Sequence, residues 1–147
     1  MDDSFFPGSR PGAASGAVTG SDLAPDGGLV PAAAEVRTVP SSGGLWSTAA
    51  DLVCFGLGWA SLLPADLAGE ALTPHAERPF GAVGLRWFLD RTGETAGLSG
   101  VGPGVSASLV VRMGDRCAQV ALSKCQAPVA SVAACQARSR DTHIPAA

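Results

Sequence analysis

Residues 40–56, PSSGGLWSTAADLVCFG, constrain this chain more tightly than any other stretch. Gly43-Gly44 gives the backbone freedom for a tight bend. Thr48 and Asp51 stand at capping-box spacing, so the Thr oxygen and the carboxylate can satisfy free N–H groups at a helix start. Leu52, Phe55, Gly56, Trp59, Leu62 and Leu63 then recur at helical spacing and predict one apolar face on a helix over 48–63. Pro64 ends that helix. A second short helical turn is expected over 65–72, before Thr73-Pro74.

After the helices the pattern changes to strands. Residues 80–89 alternate, with Val83, Leu85, Trp87 and Leu89 on one face. Residues 91–104 read as a Gly-rich connection. Residues 106–113 and 116–124 flank Gly114-Asp115 and predict an antiparallel hairpin. Residues 127–138 suit a closing helix. The expected fold is therefore α+β, with helices packed on an antiparallel sheet of three strands. Residues 1–39 read as a loop-rich segment of the same domain, with a turn at Asp26-Gly27-Gly28. Residues 40–140 form its main body, and 141–147 a frayed tail. No internal repeat is visible.

Composition narrows the function classes. The chain has 147 residues, one domain's length, and 46% of them are hydrophobic. Its net charge is −3, which gives no basic footprint for nucleic acid. The N-terminus lacks the basic and apolar regions of a secretory signal. No apolar run reaches the roughly 18 residues of a membrane span. The sequence leaves the compartment unknown; with no signal and no membrane span, the chain as it stands reads as cytoplasmic. Cys54, Cys117, Cys125 and Cys135 form no C-x-x-C pair, and only two His occur. No zinc site and no cofactor follow, and the cysteines read as buried free thiols.

Candidate chemistry is sparse. Gly97-Leu98-Ser99-Gly100-Val101 misses the G-x-S-x-G elbow at its last position and lacks strand–turn–helix context. Ser99 then reads either as a polar loop residue or as part of a binding motif. The glycines at 97, 100, 102 and 104 do not fit a phosphate loop, because position 105 is Val. His75 reads as a residue ending a helix, His143 lies in the tail, and Asp51 reads as a cap rather than an acid. Trp46, beside Gly43-Gly44, is a candidate cleft-lining residue among otherwise core aromatics.

The run GGLWSTAADLVCF resembles the "GGL-STA-DL-F" signature of the penicillin-recognising serine hydrolases: class C β-lactamases, D-Ala-D-Ala peptidases and related esterases. Other segments resemble that family in the same order over about residues 1–125. Met1 to Phe6 is similar to an interior "G-M-x-D-T-x-F" segment, Gly84-Leu85-Arg86-Trp87 to a "G-L-G-W" strand, and residues 106–124 to the last two sheet strands. Leu98-Ser99-Gly100, followed by VGPGVS, resembles "H-S-G-G-x-P-G-F-S". On that resemblance Leu98, Ser99 and Gly100 occupy the substrate-side motif, and the Val101 N–H is the implied oxyanion donor. The family has Lys or His where Leu98 stands, so the expected substrate-carboxylate anchor is missing.

The family's nucleophile motif is S-x-x-K and its second motif Y-x-N. Lys124 is the only lysine, position 121 is Ala, and the chain has no Tyr. No catalytic residue is therefore assigned. The resemblance implies the C-terminal portion of a partial β-lactamase/transpeptidase-like fold, with Met1 an interior methionine. A missing N-terminal half would bring the nucleophile, and the substrate would be a small-molecule amide or ester. Two other readings stand beside it: a non-catalytic binding or complementation module, and a degenerate gene product.

Overall fold

A computed structural model describes residues 2–6, 17–33, 43–79 and 81–126. The helix expected over 127–138, the tail, Cys135 and His143 lie outside the described residues. The architecture is α+β.

Helix α1 spans Ala49–Gly58. Thr48 caps it from extended backbone, and its Oγ1 accepts the Asp51 N–H at 3.2 Å. The chain then tightens into a 3₁₀ turn, Trp59–Leu62, and re-forms as α2, Ala65–Ala71. That change of pitch breaks the expected apolar stripe. Gly56 and Trp59 stay buried, but Leu62 is 72% exposed and Leu63 half-exposed. Gly56 sits where α1 crosses the sheet. A Cβ there would lie 2.9 Å from Leu109 Cδ1 and 3.2 Å from Ala118 Cβ, so the missing side chain sets the helix–sheet spacing.

Among the described residues the main sheet is an antiparallel meander of six strands rather than three. In order they are β3 (Ala76–Arg78), β4 (Gly81–Val83), β5 (Phe88–Leu89), β6 (Thr95–Gly102), β7 (Val105–Arg112) and β8 (Cys117–Ser123). A separate hairpin, β1 (Ser21–Leu23) with β2 (Leu29–Pro31), turns at Asp26-Gly27-Gly28. Gly27 there has φ 85, and Gly28 N–H donates to Asp26 Oδ1. The hairpin is tied to the sheet by the Ser21 N–H, which is within reach of Gly104 O at 3.0 Å and Lys124 O at 2.7 Å.

Three further expectations change. The single strand over 80–89 is two short strands joined by a turn. Gly84 N–H donates to Trp87 O, Leu85 N–H donates to Ala71 O, and Arg86 has φ 74. Leu85 is therefore exposed while Trp87 and Leu89 are buried. The connection over 91–104 is mostly strand β6, paired with β7 along its whole length. The cysteines among the described residues are not buried: Cys54 is exposed, and Cys117 and Cys125 are half-buried.

The core lies between the two helices and the sheet. Trp59, Ala71, Ala82, Trp87, Leu89, Ala96, Leu109 and Val111 form it. The Trp59 and Trp87 rings meet at 4.7 Å with a 39° tilt, within the range aromatic pairs favour. No helix among the described residues is long and apolar enough to cross a membrane.

Candidate functional site

β6 becomes an open edge halfway along its length. On one side it pairs with β7 from Thr95↔Arg112 to Gly102↔Val105. On the other, β5 reaches only Ala96 and Gly97. Backbone polar groups alternate sides along an antiparallel strand. Asp90 N–H donates to Thr95 C=O on the β5 side, and Met113 N–H donates to Glu94 C=O on the β7 side. Gly97, Ser99 and Val101 therefore present their N–H and C=O groups toward β5. Beyond Gly97 no strand among the described residues meets them. The N–H groups of Ser99 and Val101 lie in a row along this edge, and both residues are exposed.

Side chains alternate in the opposite sense. Leu98 stands opposite Leu109 and packs against the core with Ala96. An apolar residue suits that place, and its side chain is committed to packing. Gly100 is exposed, with nothing within 4 Å of where a Cβ would stand, so the sheet face is open there. Ser99 faces the sheet surface shared with Ser108, its partner on β7.

Trp46 has a different setting. It exchanges two backbone hydrogen bonds with Phe5, both at 2.9 Å, and their rings stack at 6.3 Å with a 14° interplanar angle. Next to this pair, the Asp51 carboxylate accepts the Ser4 hydroxyl at 2.7 Å and the Asp3 N–H at 3.0 Å. With its proton on Asp51, Ser4 Oγ is left to accept from Ser47 Oγ at 2.8 Å. The Ser4 hydrogen bond is the main cause holding the Asp51 carboxyl below its ordinary pKa, against a smaller opposing effect of burial; the Asp3 N–H adds to the lowering. Asp51 is thus both the third residue of α1 and the clasp for residues 2–6, a role capping-box spacing alone does not reveal.

One other concavity was not foreseen. An open groove of about 540 Å³ lies by β4 and the turn after β5, lined among others by Arg78, Asp90, Arg91 and Met113. Asp90 is tied up there by Thr92 and the Thr95 N–H. Its lining includes neither Trp46 nor any of Leu98, Ser99, Gly100 and Val101. No group of three or more His, Cys, Asp or Glu that could hold a metal occurs among the described residues.

Searches against protein-family models and against curated proteins give no match for this chain.

Proposed function

We propose that these 147 residues form the C-terminal portion of a β-lactamase-like serine hydrolase. It cleaves an amide or ester through an acyl-serine once joined, in cis or in trans, to a segment carrying S-x-x-K. The chain contributes the substrate side of the site. Ser99 and Gly100 line the β6 edge, and the Val101 N–H donates to the developing oxyanion. Alone it has no nucleophile and base, so it binds weakly and does not turn over.

The observation that carries this reading is the contact between two segments that resemble the family independently. Residues 2–6 are clasped onto residues 46–51 by Asp51, Ser47 and Trp46 across more than 40 residues of sequence. A chance likeness in two unrelated peptides gives no reason for them to meet. The edge exposed at Ser99 and Val101 supports the same reading, because an oxyanion donor must have its N–H free.

Translating the coding DNA upstream of Met1 in frame tests it, followed by labelling the longer product with a serine-acylating probe. S-x-x-K and Y-x-N in the open frame, with label on that serine, are expected. A stop or frameshift directly upstream, with no labelling when the chain is co-expressed with an S-x-x-K segment, overturns the proposal.

A further inference from the structure

Among the described residues the sheet outruns the helices that cover it. α2 stops at Ala71, with Leu72 as its cap, and β3 begins at Ala76. Past that point the groove beside β4 opens. Glu77 stands opposite Ala82, and Ala82 opposite Leu89, so the three share one face of the sheet, the face that carries the core. Ala82 and Leu89 are buried, and Leu72 and Met113 half-buried. These four give the groove an apolar lining.

Two arginines border it. Arg78 and Arg91 are both exposed and both line the groove. Arg91 reaches from the turn after β5 to the β3–β4 turn, where its guanidinium donates to the Pro79 carbonyl, one residue beyond Arg78. Among the described residues neither arginine has a carboxylate partner, although Glu77 and Asp90 lie on the same lining. Asp90 spends its oxygens on the Thr92 hydroxyl and the Thr95 N–H. Of the lining acids that leaves Glu77 beside two guanidinium groups, a balance that suits a single negative charge and disfavours a dianion. A guanidinium offers a planar fork matched to a carboxylate. A groove of about 540 Å³ is within the size range of small-molecule sites.

We propose that this groove binds a small monocarboxylate with an apolar body, the carboxylate on Arg78 and Arg91 and the body against Leu72, Leu89 and Met113. The groove shares no residue with the β6 motif, so the inference goes beyond the hydrolase reading and does not depend on it. Hydrocinnamate and its neutral amide are titrated into the 147-residue chain while the Met113 methyl and Gly93 amide resonances are followed. The acid is expected to shift both signals and to bind about fivefold more tightly than the amide, the scale of exposed ion pairs. Phenethyl phosphate, the matching dianion, is expected to bind no more tightly than the acid.

Arg78→Gln with Arg91→Gln is expected to abolish the preference for the acid. Arg78→Gln alone breaks no hydrogen bond among the described residues, so it keeps the test open if the double variant unfolds; it is expected to reduce the preference, and Arg78→Lys to retain it in part. Equal binding of acid and amide, tighter binding of the phosphate, an unchanged preference in Arg78→Gln, or no shift at Met113 overturns the inference. None of these results bears on whether an S-x-x-K segment exists, so the two proposals fail separately.

Discussion

Ser4 Oγ donates to Asp51 Oδ2 at 2.7 Å across 47 residues of sequence. The same carboxylate accepts the Asp3 N–H, and Asp51 in turn depends on Thr48 for its own N–H. A helix start and a distant peptide are thereby fixed by one side chain. The backbone exchange between Phe5 and Trp46 then extends the contact by one turn of ribbon.

This arrangement makes stability sensitive to acid. The folded pKa of Asp51 is depressed, so its contribution is fully present above the ordinary carboxylate pKa near 3.8. It is lost as pH falls below that value through the folded pKa. Urea unfolding between pH 5 and pH 2.5 should show a falling midpoint, and Asp51→Asn should flatten that fall while lowering the midpoint at pH 5. An unchanged acid limb in Asp51→Asn would show that the carboxylate does not clasp residues 2–6.

Gly104 should tolerate no side chain. It closes the turn between β6 and β7 at φ 64, and a Cβ there would lie 2.3 Å from Ala32 Cβ and 2.6 Å from Ser21 N. Gly104→Ala is expected to destabilise the fold by more than about 1 kcal/mol. It should also free the β1–β2 hairpin, read as faster hydrogen exchange at the Ser21 amide. Protection at Ser21 equal to that of the unaltered chain would count against the contact.

The two halves of the fold were unequally legible in the sequence. α1 could be located because Thr48, Asp51 and the Phe55–Gly56–Trp59 spacing agree on one start and one face. The β7–β8 hairpin could be located because apolar alternation runs up to a Gly-Asp turn, although Arg116 takes the left-handed place beside it. β6 was hidden because Gly97, Gly100 and Gly102 carry no side chain to alternate. Its pairing comes from the ladder with β7, which is a tertiary property. Residues 80–89 misled for the opposite reason. Their alternation is regular, but the approach of Gly84 to Ala71 O, 2.3 Å from where a Cβ would stand, bends the chain into a turn. The position of Ser99 and Val101 at an edge follows from where β5 stops, and nothing in residues 97–102 encodes that.

Trp59 and Trp87 should dominate core stability. They are 7% and 4% exposed and touch each other across the helix–sheet layer. Trp59→Ala is expected to cost about 3–5 kcal/mol. Near-ultraviolet circular dichroism should lose the coupled indole signal in parallel. A loss under about 0.5 kcal/mol would be within surface-substitution behaviour and would place Trp59 outside the core.

Leu98 sets a motif position against a packing position, and one substitution separates them. Its half-buried side chain packs against the core cluster, and Leu109 stands opposite it, beneath α1. A lysine there must either bury its ammonium or swing its stem out of the layer. Leu98→Lys is therefore expected to destabilise the chain by about 1–3 kcal/mol, less than a fully buried unpaired charge costs, because residue 98 is half-buried. Leu98→Met should be nearly silent, since volume-conserving apolar exchanges cost less than about 1.5 kcal/mol. Chemical denaturation of both variants reads the difference directly. If Leu98→Lys folds as stably as the unaltered chain, residue 98 looks outward and the β6 edge can carry its own cation. If it loses stability as expected, residue 98 is held against the core and the β6 edge carries no cation of its own.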